Sequence, residues 1–219
     1  MITLHYFPSN ASFAPHIVLE ELQVPFRLSL VERDVGAHKS PEYLKLNPNG
    51  LIPVMVDGDG MVMYETAAIL MHLADAHPDA KLAPAPGTAA RAQFYKWLIW
   101  LTNTLQPTTI AYYYPERWVD EGNADGVAQV KKHAELRVGP LLDQLEAQLA
   151  SHGAPGTSWL LGADYTVTDA MAFMLCRWTR NFARPARSLP HINGFLQRMQ
   201  ARPAVQRAIA TEKLPQPVV

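Results

Sequence analysis

Two short stretches of this 219-residue chain carry the residue types that hold a small extended ligand. In Asn47-Pro48-Asn49-Gly50-Leu51-Ile52-Pro53-Val54 a turn gives way to a proline that opens a strand, and Tyr64-Glu65-Thr66-Ala67-Ala68-Ile69 opens a helix on an acid and a hydroxyl. A proline that starts a strand directly after a turn is a candidate cis peptide. A cis Ile52-Pro53 bond turns the Ile52 N–H and C=O outward, where an extended peptide can pair with them as an added strand. Glu65 and Thr66 stand where a helix begins, and the unpaired N–H groups and positive dipole end there favour an anion such as a peptide carboxylate. Taken singly, each piece also fits a plain proline turn, or a first-turn acid that complements the helix dipole. Together they describe a peptide-binding edge.

Other chemistries are narrowed by composition. Cys176 is the only cysteine, which excludes an intramolecular disulfide, a CxxC redox pair and a cysteine-based zinc site. It lies in AMAFMLCRW, an apolar helical stretch, and reads as a buried inert thiol. The eight histidines do not pair at metal-ligand spacing, so no metal is expected and any chemistry must come from hydroxyls, amides or backbone groups. A formal net charge of -1, with Lys and Arg spread along the sequence, gives no footprint for a nucleic acid or an anionic membrane. Hydrophobic residues at 48% and charged residues at 18% make a globular balance. The start, MITLHYFPSNAS, lacks the basic and apolar regions of a secretory signal, and no apolar run reaches bilayer-spanning length. The expected location is cytoplasmic.

The elements that must position these residues follow from periodicity. Residues 2–7 alternate as a half-buried strand, SNASFAP opens a helix carrying Ile17, Val18, Leu19 and Leu22, and residues 26–31 read as a second strand. Residues 32–47 read as a polar loop with one helical turn. Residues 51–56 and 60–64 form two short strands about Asp57-Gly58-Asp59-Gly60, and residues 65–76 run helical. The order β-α-β then β-β-α predicts a mixed α/β sheet of thioredoxin-like arrangement over residues 1–80. Residues 81–88, KLAPAPGT, have the Pro and Gly content of a linker, and residues 89–219 carry only helix periodicity. Helices are expected at 89–120, interrupted at Pro107, and at 125–150, 167–183 and 190–212. Thr166-Val167-Thr168-Asp169 has the form of a capping box and is assigned to stability.

The chain resembles a cytosolic glutathione transferase and is most similar to the bacterial beta class. The resemblance runs over nearly the whole length and rests on NPNGLIPV, YETAAI, the linker, residues 159–169 and LPHINGFLQRMQARPAVQRA. It implies a thioredoxin-like N-terminal domain joined to an all-α C-terminal domain, and a homodimer. It implies that Ile52, before the cis Pro53, pairs with the cysteinyl part of glutathione, and that Glu65 and Thr66 hold the γ-glutamyl end. Lys39 or His38 meets the glycyl carboxylate. Glutathione serves as co-substrate, with no further cofactor.

The chain departs from the class at the activating group. Where the beta class carries a cysteine after the first strand and a histidine on the first long helix of the second domain, this sequence has Ala11 and Gln106. A thiol with a pKa of about 8.5 reacts as thiolate, so a donor or a helix N-terminus must sit beside the sulfur. Ser12, at the head of the helix beginning near Phe13, is the first choice; its other reading is an N-cap alone, with Pro15 in the first turn. Asn10 and Ser9 are alternatives. Tyr6 packs beside the site. The aromatics of residues 111–118, among them Tyr113, Tyr114 and Trp118, read either as a second-substrate pocket for an apolar electrophile, with Tyr6, Phe13, Gln106 and Trp178, or as helix-packing core. Two functions remain: a transferase acting on that electrophile, with hydroperoxide reduction or isomerisation by the same thiolate as a variant, and a non-catalytic binding or regulatory protein on the same fold; protein disulfide reduction is disfavoured by Ala11.

Overall fold

A computed structural model describes all 219 residues, Met1–Val219. The alternating segment ITLHY forms β1 (Ile2–Tyr6), and α1 (Phe13–Leu22) carries the chain to β2 (Phe26–Leu30), parallel to β1 with Ile2 opposite Phe26 and Tyr6 opposite Leu30. Residues 32–47 hold more helix than one turn. They contain 3-10 turns at Arg33–Val35 and Ala37–Lys39, then α2 (Pro41–Leu46). The signal for α2 is the run Ser40-Pro41-Glu42: the Ser40 side chain accepts the Tyr43 N–H at 3.2 Å, and Pro41 occupies a first-turn place where no donor is missed.

Strands β3 (Val54–Val56) and β4 (Val62–Tyr64) make an antiparallel hairpin, and β3 lies antiparallel to β1. The strand order is β2-β1-β3-β4. The Asp57 carboxylate fixes the hairpin turn by accepting the N–H groups of Asp59 and Met61 at 2.9 and 2.8 Å. Both strands are shorter than expected, because residues 51–53 and 60–61 lie outside the ladder. α3 (Thr66–Ala76) follows directly.

Two compact units divide the chain: Met1–Ala83 with Gln200–Val218, and Pro84–Met199 with Val219. The second unit contains α4 (Ala89–Trp100), α5 (Gln106–Tyr113), α6 (Ala124–Ala150), α7 (Val167–Trp178) and all but the last residue of α8 (Pro190–Gln200). α6 buries Ala134, Val138, Leu142, Leu145 and Leu149, a single stripe at helical spacing. Every residue of α7 from Val167 to Arg177 is buried, as in a helix enclosed by others. The expected interruption at Pro107 is replaced by a π-helical turn, Leu101–Leu105, that leads straight into α5. Proline supplies no N–H and crowds the carbonyl one turn back, and the widened turn before it takes up that misfit. The Thr108 and Thr109 hydroxyls donate to the carbonyls of Thr104 and Leu105 at 2.8 and 2.9 Å, so the β-branched pair extends the helix instead of ending it.

Although it follows the helices of the second unit in sequence, α9 (Pro203–Thr211) groups by its contacts with the first. Arg202, extended before Pro203, splits the helix expected over 190–212. Arg202 then grips Glu21 of α1 through two bonds, at 2.5 and 2.9 Å, and Arg207 reaches Glu20 at 2.5 Å. Residues 13–19 of α1 are all buried, with α3 and α9 both packed against the helix. No helix in the chain is long and apolar enough to cross a membrane.

Candidate functional site

Strand register brings three loops of the first unit to one end of its sheet. His5 stands opposite Val54, and Val54 opposite Tyr64. The loop leaving β1, the Ile52-Pro53 segment entering β3 and the Glu65-Thr66 start of α3 therefore share that end. The Ile52-Pro53 bond is cis, and the Ile52 backbone takes part in no turn or loop hydrogen bond. A small apolar cluster lies beneath: Val31, Tyr43, Ile52 and Val54, with Phe7, Ala37 and Tyr64 packed on it.

The segment before Pro53 is held by side chains that sequence reasoning did not single out. The Leu51 carbonyl accepts the Tyr43 hydroxyl at 2.9 Å and the Asn47 amide at 2.8 Å, while the Asn47 side-chain oxygen accepts the Asn49 N–H at 3.0 Å. Burial pushes the Tyr43 phenol well above its usual value, which keeps it a donor. Lys39 reaches the same turn, its Nζ donating to the Asn49 carbonyl at 3.2 Å. Gly50, at φ +60, lets it lie there: a Cβ would stand 2.7 Å from Lys39 Nζ and 2.9 Å from the His38 carbonyl. His38 and Lys39 share the 3-10 turn that Ala37 anchors in the cluster.

At the start of α3, Glu65 is exposed and Thr66 is 5% exposed. Glu65 has φ 73 and ψ 111, and its side chain makes no cap bond. A non-glycine residue in that region costs on the order of 1–3 kcal/mol, a cost that accumulates at ligand clamps. The carboxylate is exposed at the head of α3 and caps none of its N–H groups.

In the loop after β1 the structure revises the reading of Ser12. Ser12 is fully buried; its hydroxyl donates to the Phe7 carbonyl at 3.1 Å and accepts the Phe7 N–H at 3.3 Å. Its backbone is already helical, at φ -64 and ψ -17, and its side chain caps nothing. It braces the loop through both backbone groups of Phe7. Ser9 and Asn10 are part-exposed, with the Asn10 side-chain oxygen accepting the Ala11 N–H at 2.6 Å. Phe13, expected to line a pocket, is 1% exposed and belongs to the core of this unit. Tyr6 is half-buried, and burial followed by the charge of Glu212 raises its phenol pKa.

The remaining pocket candidates lie in the second unit. The Tyr113 hydroxyl donates to the Trp178 carbonyl, and burial is the main cause that raises its pKa. Tyr112 and Tyr113 pack on Phe182 at ring separations of 4.1 and 6.3 Å, and Lys131 of α6 lies over Tyr112, while Tyr113 remains 38% exposed. Trp118 is 61% exposed, Tyr114 lies under the Arg117 guanidinium, and Gln106 accepts the Thr102 hydroxyl at 3.2 Å. No group of three or more His, Cys, Asp or Glu side chains is placed to hold a metal ion.

Family models for the N-terminal and C-terminal domains of glutathione S-transferase match residues 8–76 and 112–212. Glutathione S-transferase GST-4.5 of Xanthomonas campestris pv. campestris is 32% identical over 211 residues, covering 96% of this chain and 98% of that protein. The chain belongs to the glutathione S-transferase family. Glutathione S-transferase 3 of Zea mays is 34% identical over 91% of this chain and 89% of its own length. Among solved structures, a glutathione transferase homologue from Sulfitobacter with bound glutathione superposes with a TM-score of 0.88 at 25% identity, covering 96% of this chain and 98% of that one.

Two further features of the transferase are structural. Cys176 is 2% exposed and burial pushes its thiol up to about 12, so it is inert as expected. The fully buried Asp169 accepts the N–H groups of Thr166 and Leu160, both at 2.8 Å, and so ties the start of α7 to the preceding loop.

Proposed function

We propose that this glutathione transferase holds glutathione in extended form at the end of the first unit's sheet and presents its thiol to residues 9–10. The observation that carries this reading is the meeting of a cis Ile52-Pro53, an exposed Glu65 at the head of α3 and Lys39 around one apolar cluster. In this reading the Ile52 backbone pairs with the cysteinyl unit as an added strand. Glu65 and Thr66 take the α-amino and α-carboxyl groups of the γ-glutamyl end, the carboxylate lying at the helix N-terminus. Lys39, beside His38, neutralises the glycyl carboxylate.

With Ser12 committed to Phe7, the thiol donors are the Asn10 amide and the Ser9 hydroxyl. A neutral donor stabilises a thiolate by hydrogen bonding to the charged form, which lowers its pKa and raises the nucleophile's population at neutral pH. The thiolate then attacks an apolar electrophilic carbon: a C–S bond forms, and the displaced group leaves with its electron pair or, in an addition, the neighbouring carbon takes a proton. Glutathione is consumed as co-substrate and no further cofactor takes part. We further read the protein as a cytoplasmic homodimer acting in detoxification, without nucleic-acid or membrane partners.

A second reading, a non-catalytic glutathione-binding protein, is favoured by the burial of Ser12 and the presence of Ala11 and Gln106 at the activating positions. One pair of measurements separates the two: calorimetric affinity for glutathione, and ultraviolet titration of the bound thiol. A thiol pKa below that of free glutathione, raised again by Asn10→Ala, is expected. Tight binding with an unshifted pKa selects the second reading, and absence of binding overturns both.

A further inference from the structure

Beneath the site loop lies a buried polar pair to which glutathione binding gives no role. His16 on α1 and Glu212, the residue after α9, have fully buried side chains, and His16 Nδ1 lies 2.9 Å from Glu212 Oε1. The other carboxylate oxygen, Oε2, accepts the backbone N–H of Ser9 at 2.9 Å. Ser9 is a non-glycine residue at φ 65, a conformation that persists only where its surroundings impose it. The remaining neighbours are Glu20, whose carboxylate is 3.9 Å from His16 Nε2, and the rings of Tyr6 and Phe26, each edge-on to the imidazole.

A buried carboxylate is a poor means of docking a helix, because its desolvation offsets most of what its pairing contributes. Docking is supplied elsewhere, by Arg202 on Glu21 and Arg207 on Glu20. What Glu212 alone does is join the C-terminal segment to the backbone of the loop that follows β1. We infer that Glu212 is a positioning residue of the site loop: with one oxygen fixed by His16, it uses the other to hold Ser9 in its left-handed conformation and so aims Ser9 and Asn10. The consequence for a bound thiol rests on the glutathione reading; the hold on the loop does not.

The test uses the full chain and two readouts. In ligand-free Glu212→Ala, amide hydrogen exchange across residues 8–11 is expected to quicken by about tenfold or more, the response of a segment that has lost its anchor. Ultraviolet titration of bound glutathione in the same variant is expected to show a raised thiol pKa. Glu212→Gln keeps an acceptor for Ser9 and offers His16 a donor, so it is expected to restore both readouts. Arg202→Ala is expected to lower the melting temperature without quickening the loop. If Glu212→Ala does not fold, Glu212→Asp, one methylene short of Ser9, is read in the same way. Unchanged loop exchange in a folded Glu212→Ala or Glu212→Asp overturns the inference, as does a Gln variant as loose as the Ala one. A quickened loop in a protein that binds no glutathione sustains the positioning role and rejects the ligand reading.

Discussion

Glu65 combines an exposed carboxylate with a backbone at φ 73, and the two contributions are separable. Glu65→Ala removes the carboxylate and keeps the strain; Glu65→Gly removes both. Each variant is expected to bind glutathione more weakly by more than about 1 kcal/mol, the scale of a charge-assisted hydrogen bond, as read by calorimetry. The Gly variant is expected to melt above the Ala variant, because glycine adopts positive φ without the Cβ clash. Equal melting temperatures would show that the strain is relieved by other means. Ser12→Ala addresses the loop. Its hydroxyl serves both backbone groups of Phe7, so deletion is expected to cost about 1–3 kcal/mol in a denaturant titration. The thiol pKa should move less than in Asn10→Ala. The cis proline and the start of α3 were legible in the sequence because their signals are local: a turn, a proline after it, an acid and a hydroxyl at a helix start. The bonds of Ser12 to Phe7 were not legible, because a serine before a helix reads as a cap or a ligand donor and only the path of residues 7–12 decides which backbone groups it can reach.

The elements follow the sequence where a period or a cap is written into neighbouring residues. β1, α1, α3 and α7 start and stop within a residue or two of their patterns, except that α7 ends at Trp178, short of 183. The helix around Pro107 does not, because proline's missing donor says that a helix must adjust without saying how, and a widened turn is one solution among several. Asp169 shows how much one side chain contributes when an element start is buried. Asp169→Ala leaves the N–H groups of Thr166 and Leu160 unpaired, each costing roughly 1–3 kcal/mol. A clear fall in melting temperature is expected, with calorimetric affinity for glutathione unchanged in the protein that remains folded by circular dichroism. Lost affinity in that folded fraction would move Asp169 from the scaffold to the ligand site.

At the scale of the whole molecule, the C-terminal nineteen-residue stretch assigned to the first unit, Gln200–Val218, is what the sequence could not reveal. Its contacts with α1 and with the loop before it join residues 181 apart for Arg202 with Glu21 and 203 apart for Glu212 with Ser9, and a separation of that size leaves no mark in local periodicity. The physical need for it is visible in α1. Residues 13–19 are buried on every side, whereas a helix lying on one face of a sheet normally keeps a solvent-facing stripe. Ile17, Val18 and Leu19, three successive residues that point to different sides of the helix, all have 0% exposure, and α9 belongs to the cover of α1. Removing residues 201–219 is therefore expected to uncover apolar surface on the first unit, read as increased binding of a hydrophobic dye and loss of a single peak in size exclusion. Residues 1–83 produced alone should behave likewise, although they contain every strand of the sheet and every residue proposed to touch glutathione. A soluble, dye-silent fragment of either kind would mean that α3 and the sheet suffice to bury α1, and that α9 is present only to bring Glu212 to the loop.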